Sequence, residues 1–186
     1  MDKKKIAIIL PVMGYKMDKP LLYYSSKIVQ GMGYELIFVE YHDLPEKTRG
    51  DVSKAKSAAD IAYEQTEEQL ASVTFSEYED VLFIGKSIGT IIAAKYVHEH
   101  DTDARQIWYT PLEATFKFDS KNTIAFFGEA DQWSDLDNVK KIAEEQGVKL
   151  WTYPECNHSL ESPDIIKNIE YMKNVMSLTK EYIERR

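Results

Sequence analysis

One stretch constrains this chain more than any other. The apolar run Val81-Leu82-Phe83-Ile84 ends in Gly85-Lys86-Ser87-Ile88-Gly89 and passes directly into Thr90-Ile91-Ile92-Ala93-Ala94-Lys95. A short apolar run bounded by turn residues is the pattern of a buried strand, and the segment after it has the make-up of a helix. The two glycines leave room for a sharp turn between them, with Ser87 at its middle. Other glycine loops do not fit: G-x-x-x-x-G-K-[ST] is absent, and no G-x-G-x-x-G follows a strand. The plainer alternatives are a glycine-flanked turn in some other α/β fold and a glycine-rich anion loop at a helix N-terminus.

Apolar runs alternate with amphipathic segments along the whole chain, the pattern of a three-layer α/β/α sandwich on a mainly parallel sheet of about six strands. Strands are expected from Lys5 to Leu10, Glu35 to Glu40, Val81 to Gly85, Ala104 to Tyr109, Thr123 to Phe127 and Lys149 to Tyr153. Helices are expected from about Pro20 to Met32 with Asp18 near the N-cap, from Ser53 to Val73, from the serine turn to near His100, from Leu136 to Gln146, and from Ser162-Pro163 onward. In the last of these, Ile165, Ile169, Met172, Met176 and Ile183 recur at helical spacing and read as a core-facing stripe. The stretch from Thr110 to Asn122 shows no clear period and reads as a rim loop.

With 186 residues, one domain spanning 1–186 is expected, with no separate lid. A net charge of -8 argues against nucleic acid or an anionic membrane surface as partner, since both need clustered basic charge. The one dense basic run, Lys3-Lys4-Lys5, precedes an apolar stretch that Pro11 ends too soon for a signal core or a membrane span. Cys156 is the single cysteine, which rules out an internal disulfide and makes a cysteine-based zinc site implausible. A cytoplasmic protein without metal or cofactor is expected; the oligomeric state is not legible.

A serine hydroxyl is a weak nucleophile near neutral pH and needs a base held by a carboxylate. In an open parallel sheet the ligand crevice lies beyond the carboxyl ends of the strands, so groups just after strands matter most. Of the four histidines, His98 and His100 fall at the far end of the helix that leaves Ser87, and His42 follows a strand at the sheet margin. His158 follows the last strand by five residues, in a loop on the crevice edge. The acid expected is Asp131, after Gly128-Glu129-Ala130, with Glu129 the local rival.

The chain order Ser87, Asp131, His158 and the pieces Gly85-Lys86-Ser87-Ile88-Gly89, Gly128-Glu129-Ala130-Asp131 and Asn157-His158-Ser159-Leu160-Glu161 resemble a small, lidless α/β-hydrolase of the dienelactone-hydrolase-like or carboxylesterase-like kind. The likeness spans nearly the whole chain and implies a reduced α/β-hydrolase fold with Ser87 as nucleophile, Asp131 as acid and His158 as base. It also implies an oxyanion hole of backbone NH groups, one from Ile88 and a second from Val12 or Met13, since Pro11 has none. Two departures stand out. Leu10-Pro11-Val12-Met13-Gly14-Tyr15 replaces the His-Gly often found after the first strand, and the early antiparallel strands and the helix expected between Thr110 and Asn122 are missing.

Tyr15, Trp133 and Tyr109 are expected near the crevice as substrate-binding residues, with Met13 beside them. Lys16 and Lys86 could attract an anion, although exposed lysines seldom do anything specific. The expected substrate is a small or medium carboxylic ester or thioester, with an amide less favoured. A second reading, from another class, is a catalytically silent protein of this fold that binds a small ligand or protein partner; the presence of all three triad groups argues for the enzyme.

Overall fold

The computed structural model describes residues 4–12, 14–45, 52–118 and 120–185. Its strands are β1 (Lys5–Leu10), β2 (Glu35–Phe38), β3 (Asp80–Lys86), β4 (Arg105–Tyr109), β5 (Thr123–Gly128) and β6 (Lys149–Tyr153), and its helices are α1 (Pro20–Gly31), α2 (Val52–Leu70), α3 (Ile88–Glu99), α4 (Leu136–Glu145) and α5 (Ile165–Glu184). The strands form one sheet in the order β2-β1-β3-β4-β5-β6, and every pairing is parallel. β1, β3, β4 and β5 are flanked on both sides and buried almost throughout, which is why they read as continuous apolar runs. The margins β2 and β6 are partly exposed, and β2 stops at Phe38, short of the expected Glu40.

Strand alternation assigns the faces. Ala7, Ile9, Leu82, Ile84, Ile107, Tyr109, Ile124 and Phe126 share a core with Leu21, Leu22 and Val29 of α1 and Val175 and Ile183 of α5. Their neighbours Ile6, Ile8, Val81 and Phe83 pack against α2 and α3, while Trp108, Ala125 and Phe127 pack against α4. Those three layers match the sandwich expected from the sequence. Between β4 and β5 the chain makes only a short 3₁₀ turn, Glu113–Lys117, in the stretch read as a loop. No helix among the described residues is long and apolar enough to cross a membrane.

Helix starts follow their local chemistry. Asp135 caps α4 by accepting from the Asn138 NH, Asp164 caps α5 by accepting from the Ile166 and Lys167 NH groups, and Pro20 opens α1. The cap position of α1 is Lys19, not Asp18, and no side chain closes it. The stripe on α5 also departs from expectation. Ile165 and Ile169 are 69% and 63% exposed, and the helix joins the core only from Tyr171 and Met172 onward, so its first turns present apolar residues to solvent. At the other end of α5, the Arg105 guanidinium donates to the carbonyls of Tyr182 and Ile183 while pairing with buried Asp80 at 2.6 Å, which ties the last turn to β3 and β4.

Candidate active site

The Ser87 turn is built by close approach. Ser87 adopts φ 55° and ψ -119°, a strained conformation for a side-chain-bearing residue. A Cβ on Gly85 would lie 2.6 Å from the Gly89 carbonyl oxygen, and one on Gly89 would lie 2.2 Å from that of Leu10, so both positions need glycine. The Ser87 NH donates to the Tyr109 carbonyl, and Thr90 Oγ1 donates to the Ser87 carbonyl, fixing the turn from both sides. Sited at the end of the central strand β3, the hydroxyl stands on the edge where the carboxyl ends of the strands meet.

Two loops bring partners to it. After β5, the Asp131 NH donates to the Gly128 carbonyl, and Asp131 Oδ1 accepts from the Trp133 NH at 2.8 Å, which leaves Oδ2 aimed across the crevice. After β6, Asn157 accepts from the NH groups of Ser159 and Glu161, shaping the loop that carries His158. His158 Nδ1 lies 2.6 Å from Asp131 Oδ2, and its Nε2 lies 2.7 Å from Ser87 Oγ. The Asp131 carboxylate is wholly shielded from solvent. Glu129, the rival acid, turns away to accept from Thr152 and to face Lys140. Trp133 stacks on the His158 ring at 5.3 Å between centroids.

With a carboxylate at Nδ1, that nitrogen carries the proton and Nε2 presents a lone pair to the serine hydroxyl. Burial pushes His158 below its ordinary value, and the nearby Lys86 charge pushes the same way, against the hydrogen bond and charge of Asp131. The imidazole is therefore neutral, and able to take a proton, at pH 7. The Ile88 NH occupies the first helical position of α3, where no intrahelical carbonyl can accept it. Val12 offers less: its NH is directed at the Tyr15 carbonyl, 3.4 Å away, in a bridge that closes the turn around Gly14. Met13, the other expected donor, lies outside the described residues.

A crevice of about 210 Å³ opens over Ser87 and His158, lined also by Tyr15, Trp133, Val12 and Lys86. Tyr109 does not reach it. It shares strand parity with Ile107, so its ring points into the core, fully buried, with its hydroxyl 2.8 Å from both Ser25 and Thr179. Lys16 is exposed as expected, but Lys86 is only 1% exposed. Its ammonium sits 5.2 Å from the Tyr15 ring centroid, and burial lowers its pKa to about 7. The signal for this was in the alternation Leu82, Ile84, Lys86, which puts the lysine on the inward α1/α5 face. A larger hollow of about 660 Å³ lies at the opposite sheet edge around Val73, Tyr96 and His100. There His100 is taken up by Glu67 at 2.7 Å, and among the described residues no hydrogen bond joins it to Ser76, the serine of that lining.

No protein-family model matches the chain, and none of the curated proteins does. Solved structures do match in shape. An α/β serine hydrolase without a lid from Xanthomonas campestris aligns at TM-score 0.62 and 14% identity over 99% of this chain and 84% of its own. Est1E from Butyrivibrio proteoclasticus with ferulic acid bound aligns at 0.67 and 11% over 100% and 92%, and an esterase from Pyrococcus furiosus at 0.66 and 12% over 99% and 84%. At such identities the likeness establishes architecture: the chain has the α/β-hydrolase fold.

Proposed function

We propose that the protein is a serine hydrolase acting on small or medium carboxylic esters or thioesters. The observation that carries this reading is the unbroken hydrogen-bond path from Ser87 Oγ through the His158 ring to Asp131. Ser87 Oγ attacks the ester carbonyl as His158 Nε2 takes its proton, and Asp131 stabilises the imidazolium that results. The Ile88 NH donates to the oxyanion. The imidazolium then returns its proton to the leaving alcohol or thiol, and water, activated by the same nitrogen, releases the acid from Ser87. The fold neighbours described as esterases support ester chemistry, and the crevice volume favours short acyl groups.

A panel of 4-nitrophenyl esters and acyl thioesters of increasing acyl length tests this directly. Turnover that is fastest for short acyl groups and absent from the Ser87→Ala protein is the expected result; equal turnover by both proteins contradicts it. The pH profile adds a second check. Because burial lowers the His158 pKa, kcat/KM should rise with pH along an acid limb centred below 6.5 and be level by neutrality. An acid limb centred above 6.5 would show that His158 is not the base in this environment.

A further inference from the structure

Among the described residues lining the crevice, Lys86 is the one buried cation, and the fold gives its charge little to do. Its side chain runs from the end of β3 toward the α1/α5 face and lines the same pocket as Ser87 and His158. Among the described residues no hydrogen bond or ion pair includes it. Asp131 is near enough to be felt, but no hydrogen bond or ion pair joins it to Lys86, and its oxygens accept instead from His158 and from the Trp133 NH. What remains is the face of the Tyr15 ring at 5.2 Å. An ammonium has three N–H donors, and those of Lys86 have no acceptor among the described residues while the side chain lines the crevice. The chain as a whole carries -8, so at long range it repels anions. A local, desolvated cation lining the same crevice as Ser87 reverses that preference there, where the other lining groups named above are aromatic, apolar or neutral.

We infer that Lys86 is a specificity-determining residue that receives a carboxylate on the substrate, making half-esters of short dicarboxylic acids the preferred substrate class. This deepens the proposed function and rests on it. In this arrangement the ester carbonyl lies at Ser87 and Ile88 while the far carboxylate accepts from the Lys86 ammonium, completing the donors that the protein leaves open. A charge-assisted hydrogen bond in a water-poor site contributes both affinity and discrimination against a neutral analogue.

The test pairs the monomethyl esters of succinic, glutaric and adipic acids with the neutral methyl esters in which an isopropyl group replaces the carboxylate, acid release being followed in a pH-stat at pH 7. We expect the best half-ester to exceed its neutral partner in kcat/KM by about tenfold or more, and Lys86→Met to lower that ratio by about 10- to 100-fold. Using the ratio removes any effect of the substitution on Ser87 or His158. A wild-type ratio near one, or one that Lys86→Met leaves unchanged, overturns the inference. Binding gives an arm independent of turnover: calorimetric titration of the Ser87→Ala protein with the same half-esters should show affinity that drops about tenfold or more when Lys86→Met is added. Equal affinity in the two proteins also overturns it. The two readings fail separately. Lys86-dependent binding without Ser87-dependent turnover sinks the hydrolase and keeps the anion site, whereas Ser87-dependent turnover with a ratio indifferent to Lys86 does the reverse.

Discussion

Changing Ser87 to alanine should lower kcat on the best ester of the panel by about 10⁶-fold. The size follows from how the three groups are joined. Ser87 Oγ and Asp131 Oδ2 hold opposite nitrogens of one ring at 2.7 and 2.6 Å, so in the proposed mechanism the serine is the hydroxyl that hands its proton to Nε2, and without it no acyl-enzyme would form. What survives is the oxyanion donor at Ile88 and substrate positioning, worth about 10³–10⁴ over water in comparable sites. Structure should not confuse the readout. Ser87 sits in a strained φ 55° turn held by its backbone NH and carbonyl, and those bonds to Tyr109 and Thr90 do not involve the hydroxyl. Circular dichroism and the unfolding midpoint should therefore match wild type while the rate collapses. A loss of tenfold or less in a folded variant would remove Ser87 from the chemistry.

The second large effect is on stability and has the opposite sign. Burial lowers the Lys86 pKa to about 7 from the ordinary 10.5. The unfolded chain therefore binds more protons than the folded one between pH 7 and 10.5, and stability rises with pH across that window. Below about pH 7 the whole cost applies; at about 1.4 kcal/mol for each tenfold change in proton affinity it comes to about 5 kcal/mol. Lys86→Met keeps the long unbranched shape without the charge, so at pH 7 it should raise the unfolding free energy by about 3–5 kcal/mol. The gap between the two proteins should largely close by pH 10, as the wild-type lysine in the unfolded chain also begins to lose its proton. Urea unfolding of both proteins at the two pH values measures this, and the difference between them cancels the tyrosines that titrate nearby. A Met variant no more stable than wild type at pH 7 would mean that the folded protein meets the needs of this charge after all. A gain, in contrast, describes a site in which stability is given up for a charge that only a ligand can complete.

The architecture was readable because four of the six described strands are buried on both faces and announce themselves as apolar runs; the margin strand β2 stops two residues short of expectation, whereas the bounds of β3, β4 and β5 differ from it by one residue. That Ser87, Asp131 and His158 meet was legible for a related reason, since each follows a strand closely and the sheet brings strand ends to one edge. Residues whose role depends on which way a side chain turns were harder. Tyr109 was placed in the crevice by position along the chain, yet its parity with Ile107 sends it to Ser25 and Thr179. Lys86 was read as an exposed lysine, and the same parity argument buries it. The α5 stripe failed because periodicity marks a face without saying where along the helix a neighbour begins: Ile165 and Ile169 lie before the point at which α5 meets the core. For Val12, an isolated bridge to Tyr15 claims the NH, and no residue pattern signals such a turn.

The most direct test of the central claim is reaction of the purified protein with a fluorophosphonate probe, with the modified peptide located by mass spectrometry. The probe needs no knowledge of the substrate and reads only whether a serine is activated beside a base and an oxyanion site. We expect modification confined to Ser87 and abolished by His158→Ala. Modification elsewhere with Ser87 untouched, or labelling of Ser87 that persists at full rate without His158, would contradict the assignment of this hydrogen-bonded set as a working triad.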